Sequence, residues 1–120
     1  MSHIVEIKTE VRDPAALAAA CRRLGLAEPQ VETVRFFSGT AQGLAVRLPG
    51  WCYPVVFDTA TGQVRFDNYE GHWGDRRRLD LLLQAYAVEK TRREATRRGY
   101  RVRERALADG SIELRIQTGG

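Results

Sequence analysis

From residue 76 to residue 98 the chain keeps a helical period without a break, but the apolar face it carries narrows halfway along. Leu79, Leu82, Leu83 and Tyr86, with Leu81, Ala85 and Val88 beside them, give the first half a wide apolar arc. The second half keeps only a seam of Val88, Thr91 and Ala95 among Glu89, Lys90, Arg92, Arg93, Glu94, Arg97 and Arg98. A helix buries what its apolar stripe covers, so this one is expected to begin in a core and project into water. Asp75 is placed to cap its start and Gly99 to end it. Glu89–Arg93 and Glu94–Arg98 stand at i,i+4 in the favourable order, each pair worth ~0.3 kcal/mol.

The remainder of the chain supplies what the first half of that helix packs against. Residues 4–12 alternate, with Val5, Ile7, Thr9 and Val11 on one side and Glu6, Lys8, Glu10 and Arg12 on the other, which predicts a strand. Asp13-Pro14 then opens a short helix, with Asp13 at the N-cap and Pro14 at the first helical position. Leu17, Ala20, Cys21 and Leu24 give it a narrow stripe of small residues, and Gly25 is placed to end it. Strands are expected at 31–37, around Leu44, Val46 and Leu48, and as a hairpin of 53–57 with 63–69 about Asp58–Gly62.

The last hairpin can be put in register from pattern alone. A three-residue loop of Ala108, Asp109 and Gly110 pairs Ala106 with Ile112 and Glu104 with Leu114, leaving one clean apolar face. The outer face then sets Arg105 against Glu113 and Arg103 against Arg115. The expected fold is a single-domain α+β plan over 1–120, in the order β-α-β-β-β-β-α-β-β. It has one largely antiparallel sheet and both helices on one face.

The chain has 120 residues, 43% of them hydrophobic and 28% charged, the balance of an ordinary globule of one domain. No apolar run approaches the roughly 20 residues of a membrane span. The first eight residues lack a basic head and an apolar centre, which predicts a cytoplasmic protein without membrane contact. Nineteen Lys and Arg stand against fifteen Asp and Glu, a formal charge of +4, and the excess is unevenly spread. Residues 1–75 hold seven basic and nine acidic side chains, whereas residues 76–120 hold twelve and six. All but two of the basic residues are Arg, whose planar fork suits carboxylates and phosphates.

Cys21 and Cys52 stand far apart with no Cys-x-x-Cys spacing, so buried free thiols are expected rather than a disulfide or a zinc site. Cys52, between Trp51 and Tyr53, is a candidate nucleophile or simply the start of an apolar strand. No Gly-x-Ser-x-Gly, P-loop or His-Glu-x-x-His pattern occurs, which points away from an enzyme and from a bound cofactor. The densest polar segment is Asp67-Asn68-Tyr69-Glu70-Gly71-His72-Trp73-Gly74-Asp75. It has three readings: a structural loop, a partner surface, or metal and acid–base chemistry by His72 with Glu70 or Asp67. No second histidine stands at ligand spacing, so no metal is expected.

The arginines form the second candidate surface. Arg92, Arg93, Arg97 and Arg98 lie at the end of the long helix, next to Arg101 and Arg103, with Arg115 opposite Arg103. They read as a solvated face, as a docking site for an acidic protein, or as a nucleic-acid footprint. Glu104 falls on the inward face of the hairpin, where a lone carboxylate must find a partner or have its pKa raised, unless it lies beyond the helix cover.

Three stretches and the tail carry a resemblance. They are Met1-Ser2-His3-Ile4 running to Ile7-Lys8-Thr9; Asp67-Asn68-Tyr69 with Trp73-Gly74; Leu82-Leu83-Gln84-Ala85-Tyr86-Ala87-Val88-Glu89-Lys90; and Gly99-Tyr100 through Asp109-Gly110-Ser111-Ile112. Together they resemble the domain-of-unknown-function family typified by the conserved hypothetical reading frame thirty-five of plastid and cyanobacterial genomes. The strand Trp51-Cys52-Tyr53-Pro54 looks more like its bacterial branch. That family has no established activity or catalytic residues. The resemblance implies an accessory or adaptor protein working with an AAA+ ATPase system.

Overall fold

The structure, a computed structural model, describes residues 4–8 and 10–118. The facing expected for the side chains of Val5–Thr9, and the opening Met1-Ser2-His3, lie outside what is described. The element order is β1 (Ile4–Lys8), α1 (Pro14–Arg23), β2 (Gln30–Phe36), β3 (Gly39–Val46), β4 (Val55–Asp58), β5 (Gln63–Asp67), α2 (Arg76–Arg97), β6 (Arg101–Ala106) and β7 (Ile112–Gln117). A single 3-10 turn at Tyr69–Gly71 precedes α2. This is the expected α+β order.

The sheet divides where the sequence reading had one. β1-β5-β4-β3-β2 form a five-stranded antiparallel sheet, and β6-β7 form a separate two-stranded ribbon. The reason is the path of α2. Its 22 residues rise about 33 Å at 1.5 Å each, which carries the chain well away from the sheet before β6 begins. The molecule is accordingly long, 55 × 32 × 23 Å. Its radius of gyration is 15.4 Å, against ~13.6 Å for a compact chain of this length. A head of sheet, α1 and the first half of α2 therefore carries an arm of the second half of α2 and the ribbon.

Both helices lie on one face of the head. Ala16, Leu17, Ala20 and Cys21 of α1 are sealed from water against Leu79, Leu82, Ala85 and Tyr86 of α2 and Val46, Val55, Phe57, Val64 and Phe66 of the sheet. Small residues in the α1 stripe let the two helices approach closely. Asp13 caps α1 by accepting from Ala15 N and Ala16 N, and Lys90 and Arg93 bring positive charge to within 3.6 and 3.9 Å. The stripe ends one position earlier than expected. The helix stops at Arg23, so Leu24 becomes the capping residue and is exposed. Gly25 takes φ 71°, and Leu26 N closes back on Cys21 O at 2.8 Å. Tyr86 is buried in the core, yet its hydroxyl accepts from Arg12 N and Asp13 N, fastening the entry to α1 onto α2.

The opposite sheet face holds a smaller cluster that the sequence reading did not anticipate: Val34, Phe36, Ala41, Ala45 and Val56, with Tyr53 packed against it. Cys21 is buried as expected, and burial pushes its thiol up to about 11. Cys52 is exposed, which corrects the expectation of a second buried thiol in a strand. The strand begins only at Val55, after Pro54. Trp51 packs toward the helix-side core and Tyr53 toward the other, so Cys52 between them faces out.

Candidate partner-binding surfaces

On the head, residues 67–75 fold around Asn68. Its carbonyl accepts from Gly71 N at 3.0 Å and Trp73 N at 2.9 Å, while its Nδ2 donates to Gly74 O at 3.2 Å. Tyr69 N donates to Asp67 Oδ1, and Trp73 O accepts from Cys52 N at 2.9 Å, stitching the loop to residues 51–54. The Trp51 indole donates to Asp75 O and fills the space where a Cβ on Gly74 would stand. Asp67 is fully buried and Asn68 nearly so; they shape the surface from beneath and do not form it. Asp67 Oδ2 is enclosed without a hydrogen-bond partner among the described residues, an arrangement that costs stability.

Two non-glycine residues in succession, Tyr69 at φ 45° and Glu70 at φ 52°, take the left-handed conformation. Each costs on the order of 1 kcal/mol or more and persists only where its surroundings hold it. What that turn achieves is the placement of the Tyr69 ring. The Trp73 ring has Tyr69 at 4.7 Å, Tyr53 at 5.8 Å and Phe37 at 5.9 Å. Tyr53 in turn meets Phe36 edge-on at 5.8 Å. A chain of rings thus runs from the buried outer-face cluster to the surface, where Phe37 is 62% and Tyr69 37% exposed. His72 packs against Tyr69 at 5.0 Å, and Glu70 is exposed beside them. Of the residues expected here, Tyr69, Glu70, His72 and Trp73 form the surface. Phe37 and Tyr53 were missed. The dipeptide Phe36-Phe37 was the available signal, since an alternating strand buries only one of two adjacent aromatics.

On the arm, the arginines separate into two groups. Glu104 is gripped by Arg23 at 2.8 Å and by Arg92 at 2.8 Å, and Arg23 also holds Glu89 at 2.7 Å. This network joins α1, α2 and β6. The Arg23 hydrogen bond holds the Glu104 carboxyl below its ordinary value, against the upward push of burial and with help from Arg92. The raised pKa weighed for a lone carboxylate is therefore overturned, because Glu104 has two cationic partners from the helices. The pairs expected along the helix are also different. Glu89 turns to Arg23 instead of Arg93, and Glu94 turns to Lys90, at 3.1 Å, instead of Arg98.

Arg92 and Arg93 are thus engaged within the chain, whereas Arg97 and Arg98 form no ion pair among the described residues. The ribbon has the predicted register: Arg101↔Gln117, Arg103↔Arg115, Glu104↔Leu114, Arg105↔Glu113 and Ala106↔Ile112. Gly110 takes φ 89° in the loop, as that register requires. Arg115 and Arg105 both reach Glu113, at 2.8 and 3.2 Å, while Arg101 and Arg103 have no carboxylate partner among the described residues. The two candidate surfaces stand at opposite ends of α2 and are opposite in character.

No protein-family model, no curated protein and no solved structure matches this chain. Among the described residues, no group of three or more His, Cys, Asp and Glu side chains is gathered to hold a metal ion, and no helix is long and apolar enough to cross a membrane.

Proposed function

We propose that this chain is a small non-enzymatic interaction module, and that its protein partner docks on the aromatic patch of Phe37, Tyr53, Tyr69 and Trp73. The observation that carries this reading is the pairing of exposed aromatics with a strained turn that presents them. Aromatic side chains left open to water cost solubility, and left-handed Tyr69 and Glu70 cost backbone energy. Together they support a surface kept for contact, since aromatics dominate the centres of protein interfaces. Exposed Glu70 at its edge, beside the open aromatic rings, favours a partner segment with an apolar or cationic side chain. The resemblance on Asp67-Asn68-Tyr69, Trp73-Gly74 and the Leu82–Lys90 run adds the class of partner: an AAA+ ATPase that this protein serves as an adaptor.

The test is capture from the source cells, with the tagged full chain compared to a Phe37→Ser, Tyr69→Ser variant. Enrichment of an AAA+ ATPase with the wild-type chain and its loss with the variant are expected. An unchanged set of captured proteins would refute the patch as the docking site. A nucleic-acid role is the second reading, and it draws on the arm alone.

A further inference from the structure

We propose that the β6–β7 ribbon binds duplex DNA by lying in the major groove with its arginine face inward. This goes beyond docking at the aromatic patch and uses the other end of the molecule. Four observations carry it. First, the ribbon is free-standing, since neither of its strands joins the main sheet. Second, its two faces are committed differently. Glu104 ties the inner face to Arg23 and Arg92, and Ile116 on the same side lies beside Ala95 and Tyr100. The outer face is left to solvent.

Third, that outer face consists of Arg101↔Gln117, Arg103↔Arg115 and Arg105↔Glu113. Arg and Gln are the side chains whose forks match guanine and adenine edges. They recur at alternate positions of an extended strand, ~6.8 Å apart, so one face presents several at once. Glu113 occupies Arg105 and Arg115, but among the described residues Arg101 and Arg103 have no ion-pair partner, and neither have Arg97 and Arg98 where α2 meets the ribbon. Those four guanidiniums are available to phosphates or base edges without first breaking a contact within the chain. Fourth, the outer face carries no apolar or aromatic side chain. An acidic protein partner would find charge there but no anchor to bury, and buried anchors supply most of the affinity at protein interfaces. Two strands ~4.8 Å apart, with their side chains, fit a groove ~12 Å wide that admits a β-ribbon. The deep, narrow major groove of duplex RNA does not admit one.

The experiment measures anisotropy of a labelled mixed-sequence DNA duplex of about 20 base pairs with the full chain, between about 50 and 200 mM salt. Four phosphate contacts predict a loss of binding on the order of 100-fold across that range. In the Arg101→Gln, Arg103→Gln variant the salt dependence should fall to about half, while the Arg101→Lys, Arg103→Lys variant should keep it. Far-UV circular dichroism checks that each variant folds as the wild type does. The Phe37→Ser variant should bind the duplex normally, which separates this proposal from docking at the patch. Failure of the wild type to bind at about 50 mM salt would overturn the proposal. So would an unchanged salt dependence in the Gln variant, or duplex RNA of the same sequence bound as tightly. Poly-glutamate bound as well as the duplex would also overturn it, and would reassign the face to acidic proteins.

Discussion

In the head, Leu17, Phe57, Phe66, Leu79 and Leu82 are sealed from water, whereas no side chain of β6 or β7 is buried. The two regions share α2 and almost nothing else. The head is held by apolar packing on both faces of its sheet, and described charged pairs such as Arg47–Glu32 and Arg76–Asp80 are largely exposed. The arm is held by a two-strand ladder, by Gln84 Nε2 donating to Gly110 O, and by the Arg23–Glu89 and Arg23–Glu104–Arg92 contacts. Apolar burial scales with area and ignores salt, while partly exposed ion pairs are modest and screened. The head should therefore set global stability, and the arm should open locally without unfolding it.

Truncation of side chains in the two regions tests that division with the largest expected effect. Phe57 has no exposed surface, and Phe57→Ala should cost ~3–5 kcal/mol, a large share of the stability of a domain this size. Ile116, the largest exposed apolar side chain of the ribbon, is 46% exposed, and Ile116→Ala should cost under ~1 kcal/mol. Urea unfolding of both variants checks the contrast. Similar losses would mean that the arm is part of the core and that the division is wrong.

The same contrast decides what was legible in the sequence. Helix ends, the ribbon register and the Asp58–Gly62 turn were readable because each is fixed by neighbours: Asp13 and Pro14, Gly25, Gly99, or a period-2 pattern. The buried outer-face cluster was not, because Val34, Phe36, Ala41, Ala45 and Val56 come from three strands whose pairing alone brings them together. The ion pairs of the arm were misread for a related reason. Glu89 has Arg93 four residues away, but Arg23, 66 residues distant in sequence, reaches it across the helix interface. Of the candidate surface, the 67–75 loop stands out in the sequence by its composition. Phe37 and Tyr53 were missed because they join it only through the fold.

Acid should sharpen the difference between the regions by loosening the arm first. The Glu104 carboxyl lies below its ordinary value of 4.5 because Arg23 and then Arg92 hold it charged. A group lowered in this way stabilises the fold at higher pH, and that contribution is lost as pH falls below 4.5 and through its folded value. The effect is about 1 kcal/mol, since the carboxylate and its partners are partly exposed. Protection of the amides against exchange, taken relative to the unfolded chain at the same pH, should therefore fall in β6 and β7 between neutral pH and about pH 3 more than in β3–β5. Glu104→Gln should remove most of that difference at neutral pH. Equal loss of protection in both regions would show that the network does not tether the arm in particular.

The smallest expected effect is a gain. Arg103 and Arg115 stand directly opposite on the outer face of the ribbon, where like charges are unfavourable and opposite charges favourable. Arg103→Glu should therefore stabilise the arm by ~0.2–1 kcal/mol, read as slower exchange of the β6 and β7 amides. It should do so while weakening attraction to a polyanion, because it removes one of the four unengaged guanidiniums. A pair that lowers local stability and raises affinity for an anion has its explanation in the partner, not in the fold. If Arg103→Glu instead loosens the ribbon, the two arginines are packed favourably as they stand, and their opposition carries no sign of a partner.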